Sequence, residues 1–107
     1  MLNQHMQLLE LLTAHRRLRV IAVACELGLF THLAKESLTA TELAERSGVK
    51  ADPLRVLLEV CVSGDLLCLE HGRYTNKSIA EMYLVDGQPL YLGHVIHLFD
   101  SEATEWQ

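Results

Sequence analysis

The stretch from residue 38 to 74 constrains the fold more than any other part of the chain. It begins with a complete helix start signal, in which Thr39 is the N-cap residue and Glu42, three residues later, closes a capping box. Leu38 and Leu43 flank this signal at the spacing of a hydrophobic staple. The pattern predicts a short helix that begins at the threonine.

A second helix is predicted directly after the first, which should end at Gly48. Asp52 is its expected N-cap residue, and Pro53 stands at the first helical position, where a missing N–H costs nothing. The apolar run continues to Val62, and Gly64 should end the helix. The two helices, joined by a short turn, form a helix-turn-helix.

Two short strands follow the second helix, at residues 66–69 and 73–75. The His71-Gly72 pair between them can supply the positive φ that a tight hairpin turn needs. Together these patterns predict a mainly α fold, a winged helix-turn-helix with a short β-hairpin wing.

A winged helix that reads DNA presents polar and basic side chains from its second helix. Here that helix offers only a narrow polar stripe, Arg55, Glu59 and Ser63, so we expect it to be buried on most sides. Residues 38–75 carry four Lys or Arg and six Asp or Glu, a net charge of −2 that would repel phosphates. Protein contact is therefore favoured, with a winged-helix transcription regulator that binds DNA as the alternative.

The composition indicates one folded domain of 107 residues, because half of the residues are hydrophobic. The net charge of −5 is spread along the chain in single residues and marks no acidic tail. Cys25, Cys61 and Cys68 lie among apolar neighbours, which suits buried thiols in a reducing compartment such as the cytoplasm. The longest apolar run, residues 20–25, is far too short to cross a membrane, and we expect no signal peptide and no membrane contact.

Residues 1–37 are predicted to form an N-terminal helical arm, with a long helix from about residue 3 to 27. Residues 38–77 are the winged helix, and residues 78–107 should add C-terminal helices. The arm helix has more apolar residues than one buried face needs, so a second copy of the chain should cover the surplus in a homodimer. The candidate interface residues are Leu8, Leu12, Val20, Ile21 and Leu27.

Two helices are predicted after the wing. Ser78 and Glu81 resemble a capping box before a short helix at 79–84. The last helix should run from about residue 90 to 99, with one apolar side made of Leu92, Val95, Ile96 and Phe99.

Chemistry-bearing motifs are sparse. His94 and His97 have metal-ligand spacing and Asp100 extends their face, but no further ligand is indicated, so ordinary surface histidines are favoured and no metal is expected. The six glycines are scattered singly, which leaves no phosphate or nucleotide loop. We therefore expect no catalytic residue, and no cofactor bound by this chain.

A set of short matches runs through most of the chain, and together they resemble the N-terminal dimerisation domain of S-adenosylmethionine-dependent small-molecule O-methyltransferases. This is the family of the acetylserotonin, caffeate and antibiotic-pathway enzymes. The matching positions are Glu26-Leu27-Gly28-Leu29-Phe30, Thr39, Glu42-Leu43-Ala44, Leu57-Leu58, Gly64 to Leu67, Gly72 to Thr75, and Tyr83-Leu84.

The resemblance implies a winged helix that interlocks with its twofold mate and does not bind DNA. In the family the chain continues past a tryptophan, matched by Trp106, into a catalytic domain with the cofactor motif, whereas this sequence stops at Gln107. S-adenosylmethionine and a small-molecule methyl acceptor are thus implied for a full-length enzyme, with His97, Phe99 and Trp106 as candidates for the acceptor-pocket wall. A separate accessory subunit of a methyltransferase is a further alternative.

Overall fold

The computed structural model describes the backbone of residues 2–105 and the side chains of residues 4–9 and 16–101. Its elements are α1 (Leu2–Glu26), α2 (Leu29–Leu33), α3 (Ala40–Ser47), α4 (Ala51–Ser63), β1 (Leu67–Glu70), β2 (Arg73–Asn76), α5 (Ser78–Tyr83) and α6 (Gly93–Glu105). This order confirms the mainly α winged helix-turn-helix with a long first helix, a hairpin wing and a C-terminal helix. None of the helices described is both long enough and apolar enough to span a membrane.

The core lies where the second half of α1, the short α2, and the α3–α4 pair meet. The side chains of α2 lie at its centre, because Leu29, Phe30 and Leu33 are all buried. The largest fully buried side chains are Phe30, Leu29, Leu38, Leu43, Leu58, Leu67 and Cys61. The winged helix and the arm helix therefore share one core.

Helix α3 begins with the predicted capping box. The Glu42 backbone N–H donates to Thr39 Oγ1 at 3.2 Å, and the Thr39 N–H donates to Glu42 Oε1 at 2.9 Å. The helix ends where predicted, with Gly48 in the left-handed region at φ 71°. The backbone N–H of Thr39 lowers the pKa of the Glu42 carboxyl, because it donates a hydrogen bond to the charged form.

This lowered pKa makes the stability of the cap depend on pH. A carboxyl whose pKa is depressed by folding contributes its full stabilisation above the unfolded-state pKa, near about 4.3, and loses it as the pH falls through the folded-state pKa. We expect Glu42→Gln to flatten that part of the acid limb in urea unfolding measured from neutral pH down to acid. The matched variant Glu45→Gln, on the exposed side of α3, should keep the pH profile of the unmodified chain, and an unchanged acid limb in Glu42→Gln would contradict the assignment.

Helix α4 begins two residues earlier than predicted, at Ala51, and its expected cap is wrong. Lys50 occupies the N-cap position without a side-chain cap hydrogen bond. Asp52 lies inside the first turn, where its carboxylate accepts a hydrogen bond from Arg55 Nη1 at 2.8 Å. The carboxylate is therefore drawn to a cation one turn later and does not cap. Pro53 is tolerated because it still falls in the first turn, where backbone N–H groups have no helical acceptor.

The burial of α4 also differs from the prediction, because this helix is covered on one side and not on most sides. Leu54, Leu58 and Cys61 are buried against α1, α3 and β1. Val56 points away from that face and is 63% exposed. The buried residues recur every three to four positions, as expected for a helix that packs one face on a core.

The wing is a two-stranded antiparallel hairpin whose register pairs Leu67 with Asn76 and Glu70 with Arg73. His71 and Gly72 both adopt positive φ, 53° and 75°, which confirms the tight turn. An isolated bridge between Leu38 and Tyr74 adds the start of α3 to the edge of the hairpin, through backbone hydrogen bonds of 2.7 and 3.3 Å.

The capping box predicted for α5 is wrong. Lys77 is the N-cap residue, and it makes no side-chain cap hydrogen bond. Glu81 Oε2 accepts instead from Asn76 Nδ2 at 2.8 Å, and the same amide donates to the Phe30 carbonyl oxygen at 2.8 Å. The Glu81 carboxylate, which was expected to cap the helix, is therefore hydrogen-bonded to Asn76 at the end of the wing.

Helix α6 begins later and extends further than predicted. Leu92 is still in the preceding loop, where its N–H donates to the Tyr83 carbonyl oxygen at 2.7 Å. The expected apolar side is only partly correct, since Ile96 packs against the core while Leu92, Val95 and Phe99 are exposed. The buried positions of α6 fall on a different stripe, formed by Gly93, Ile96 and Asp100.

A buried carboxylate joins α6 to α1. Asp100 is 3% exposed, and its Oδ2 accepts a hydrogen bond from Arg19 Nη1 at 2.5 Å. The two partners are 81 positions apart in sequence, so no local pattern predicts that Arg19 pairs with Asp100. Burying a carboxylate is tolerated when a cation and hydrogen bonds compensate for lost water.

Removing this cation should weaken the docking of α6. We expect Arg19→Met to lower the free energy of unfolding by about 1–2 kcal/mol, because a charged hydrogen bond to a buried acceptor is lost while the half-exposed arginine limits the gain from the pair. Urea unfolding at fixed protein concentration measures the change. Arg16→Met, an exposed neighbour on the same helix, is the control and should change stability little, and equal effects of the two variants would contradict the assignment.

Candidate functional site

Three surface features of the fold could carry a function, and the first is the arm surface, formed by residues 4–9 at the beginning of α1. Every side chain of this segment is exposed. Met6 and Leu8 are 54% and 56% exposed, and Leu9 is also among the large exposed hydrophobic residues. Leu12, another predicted interface residue, has its side chain outside the described part of the chain. The arm surface presents apolar area that the chain's own core leaves uncovered.

The second feature is the α1–α4 cleft, with a volume of about 370 Å³. It lies between the middle of α1 and the end of α4 and is lined by Arg17, Val20, Ile21, Val60, Cys61, Ser63, Gly64 and Leu66. Burial raises the pKa of the Cys61 thiol to about 11. The lining of the cleft therefore includes a neutral thiol at physiological pH. The cleft is thus a groove of mixed polarity, in which aliphatic side chains lie beside the Arg17 guanidinium and the Ser63 hydroxyl.

The predicted interface residues divide between these features. Leu8 lies on the arm surface, whereas Val20 and Ile21 are half-buried and line the α1–α4 cleft. Leu27 packs against the chain's own core at the end of α1. The structure therefore brings three of the five residues to surfaces that a partner could reach.

The third feature is the α1–α6 notch, a smaller depression of about 170 Å³. It lies between the last turn of α1 and the first turns of α6 and is lined by Ala22, Cys25, Glu26, Tyr91, Gly93, His94 and His97. His97 Nδ1 lies 3.2 Å from Glu26 Oε1. The rings of Tyr91 and His94 meet edge to face, with centroids 5.4 Å apart and planes at 81°.

The predicted acceptor-pocket residues do not converge on the notch. His97 lines it, but Phe99 is exposed and is not among its lining residues. Trp106 lies outside the described residues. Sequence reasoning missed Glu26 and Tyr91, because nothing local in the sequence connects the end of α1 with the start of α6.

The histidine and aspartate side chains with metal-ligand spacing point to different partners. His97 faces Glu26, His94 faces Tyr91, and Asp100 faces Arg19. Among the residues whose side chains are described, no group of three or more His, Cys, Asp or Glu could hold a metal ion. On α6, His97 and Asp100 thus contact α1, whereas His94 contacts the loop that precedes α6.

Comparison with known proteins gives consistent results. The family model described as the O-methyltransferase dimerisation domain matches residues 9–86. The chain is 36% identical to the 3-hydroxy-5-methyl-1-naphthoate 3-O-methyltransferase of Streptomyces sahachiroi over 91 residues, which are 85% of this chain and 26% of that protein. It is 34% identical to the N,N-dimethyltransferase OxyT of Streptomyces rimosus over 93 residues, 87% of this chain and 27% of that protein.

A solved structure has the same fold. Human N-acetylserotonin methyltransferase in complex with SAM superimposes with a TM-score of 0.88 at 25% identity, over 96% of this chain and 32% of that chain. The sequence thus spans about a quarter of the length of the curated relatives it matches. By the family model and by these identities, the chain belongs to the O-methyltransferase dimerisation domain family.

Proposed function

We propose that this chain is the homodimerising module of an S-adenosylmethionine-dependent O-methyltransferase that acts on a small molecule. The observation that carries the proposal is the arm surface, because Met6, Leu8 and Leu9 stand exposed on a helix whose second half is packed into the core. Exposed apolar side chains on more than one side of a helix indicate a contact surface beyond the chain's own core. The family to which the chain belongs supports self-association as the contact.

The arm surface and the α1–α4 cleft complement each other in a twofold dimer. Residues 4–9 offer three exposed apolar side chains on a convex helix surface, and the cleft offers a concave groove whose lining includes Val20, Ile21 and Val60. We propose that the arm of each chain lies in the cleft of its partner. Leu12, between the two features in sequence, would be covered in the same contact.

Measurement of the oligomeric state tests the proposal. Static light scattering of the unmodified chain at tens of micromolar should give twice the mass of one chain, because an obligate interface of this kind buries about 2,000 Å² or more. A single-chain mass under these conditions would refute self-association and leave the exposed arm without its proposed partner.

The rest of the activity is proposed from the relatives. Human N-acetylserotonin methyltransferase was solved with SAM, and we propose the same cofactor for the full-length enzyme, bound by residues outside this sequence. A small-molecule methyl acceptor would approach α6, with His97, Phe99 and Trp106 as proposed wall residues. The free cysteines Cys25 and Cys61 suit the reducing cytoplasm, which we propose as the compartment.

We also propose that this chain does not bind nucleic acid. The exposed face of α4 carries Glu59 and the aliphatic Val56 beside Arg55, which is engaged by Asp52. Phosphate contacts need a cluster of free cations, and this helix does not offer one among its described side chains.

A further inference from the structure

We propose that the α1–α4 cleft binds an unbranched aliphatic carboxylate, with the carboxylate on Arg17 and the hydrocarbon chain along the aliphatic side chains of the cleft. The ligand contact itself needs only the single chain. Its consequence rests on the proposed function, in which the partner's arm lies in the same cleft. A carboxylate bound there would therefore compete with dimerisation.

The guanidinium of Arg17 is the only charged group among the described residues that line the cleft. Its neighbour Arg19 is paired with Asp100, whereas Arg17 makes no hydrogen bond or ion pair with any residue whose side chain the structure describes. The carboxylate of Asp65, one residue beyond the cleft lining, accepts a hydrogen bond from Lys77 Nζ at 3.1 Å. Within the described part of the chain, nothing competes with an incoming anion for this guanidinium.

The C-terminal turn of α4 does not need this guanidinium either. A helix C-terminus leaves carbonyl oxygens that a nearby cation could satisfy. The Val60 oxygen accepts instead from the Gly64 N–H at 2.9 Å. The Cys61 oxygen accepts from the Leu66 N–H at 3.0 Å. Because these oxygens are satisfied within the chain, they do not occupy Arg17.

The walls of the cleft favour an aliphatic ligand. The large apolar side chains of the described lining carry branched aliphatic groups, and they are Val20, Ile21, Val60 and Leu66. Burial raises the pKa of the Cys61 thiol to about 11, so this neutral group adds no charge that would repel an anion. One cation beside aliphatic walls matches a molecule that has one carboxylate and a hydrocarbon chain.

Size and geometry narrow the ligand further. The cleft volume of about 370 Å³ lies at the lower end of the roughly 300–1,000 Å³ of small-molecule sites, so it suits one small ligand. A guanidinium can hold a carboxylate through two parallel N–H···O bonds, which fixes the orientation of that end. With its carboxylate held by Arg17, the ligand extends its chain along the aliphatic walls.

Titration with octanoate, followed by amide NMR shifts, tests the contact in the chain with Met6 and Leu8 both replaced by aspartate. Both side chains are exposed, so the core is unchanged while the proposed competitor is removed. Saturating shifts should appear at residues 17–21 and 60–66. Butanoate should bind at least about tenfold more weakly, because each buried CH₂ contributes up to about fourfold. Octylammonium, with the same chain and the opposite charge, should bind at least about fivefold more weakly.

The chain-length and charge comparisons decide the chemistry of the ligand. Octanoate shifts that do not saturate would overturn the proposal. Equal binding of octanoate and octylammonium would also overturn it, because the guanidinium would then select nothing.

Two further substitutions in the same background locate the contact. Arg17→Met keeps an apolar stem but removes the cation, and it should bind octanoate about fivefold more weakly, as expected for a half-solvated ion pair. Its control, Arg16→Met, should leave the affinity unchanged. Val60→Phe adds a ring to the cleft and should weaken binding, whereas Val56→Phe, on the exposed face of α4, should not. Unaltered affinity in Arg17→Met or Val60→Phe would contradict the assignment.

Light scattering of the unmodified chain separates this proposal from the proposed function. Saturating octanoate should shift the mass from two chains to one, and the same concentration of octylammonium should not. A chain that is monomeric without ligand and still binds octanoate through Arg17 would refute dimerisation and support the cleft site. A dimer that binds octanoate without losing mass would support the site and refute the competition. If octanoate bound neither form, the site would be refuted and dimerisation would stand.

Discussion

Replacing Met6 and Leu8 together by aspartate should convert the proposed dimer into a folded monomer. Both side chains are about half-exposed in the single chain, so burying the remainder in a dimer contributes roughly 1 kcal/mol for each. A twofold interface contains four such side chains, which gives about 4 kcal/mol or close to a 1,000-fold weaker dimer Kd. Sedimentation equilibrium across a concentration series measures this change.

The matched control for the arm is Val56→Asp, which places the same charge on an exposed aliphatic position of α4. This variant should remain dimeric, because neither the arm surface nor the α1–α4 cleft includes that valine. If Val56→Asp dissociated while the Met6 and Leu8 variant stayed dimeric, the interface would lie on the outer face of α4 and not on α1.

Replacing Phe30 by alanine should produce the largest loss of stability. The side chain is fully buried at the centre of the core, and phenylalanine-to-alanine changes at such sites cost about 3–5 kcal/mol. For a domain with a total stability of about 5–15 kcal/mol this is a large fraction. The Tm should fall by at least about 12 °C in thermal unfolding at a fixed protein concentration.

The chain provides its own control, since Phe30 and Phe99 are its two phenylalanines. Phe99 is 52% exposed on α6, so Phe99→Ala removes the same atoms with little loss of buried area. Its Tm should stay within a few degrees of the unmodified chain at the same concentration. A comparable fall in both variants would contradict the assignment of Phe30 to the core and of Phe99 to the surface.

Of the three helix starts predicted from capping signals, that of α3 formed as predicted, although Arg73 Nη2 also lies 3.5 Å from Glu42 Oε1. The capping box of Thr39 and Glu42 formed because both partners belong to the same helix turn. The similar signals at Asp52 and Glu81 failed, because Arg55 and Asn76 attract those carboxylates. Sequence spacing identifies a residue that can cap a helix, but it does not decide which of several nearby partners the carboxylate contacts.

The candidate site was much less accessible to sequence reasoning. The contacts of Glu26 with His97 and of Arg19 with Asp100 join two helices that are separated by the whole winged helix. Their positions depend on how α6 lies against α1, which no periodicity within either helix reveals. The packing of Tyr91 could have been suspected only from Gly93, because a glycine inside a predicted helix often marks the close approach of another group.

The bridge between Leu38 and Tyr74 has a consequence for protein engineering. Its two backbone hydrogen bonds bring the first and last residues of the winged-helix segment side by side, although both helices and most of the hairpin lie between them in sequence. A segment whose ends meet in this way can be inserted into a surface loop of a host protein without separating the ends of that loop. Residues 38–74 therefore have the geometry of a transplantable unit, with α1 and α2 supplying the apolar cover that a recipient would need to replace.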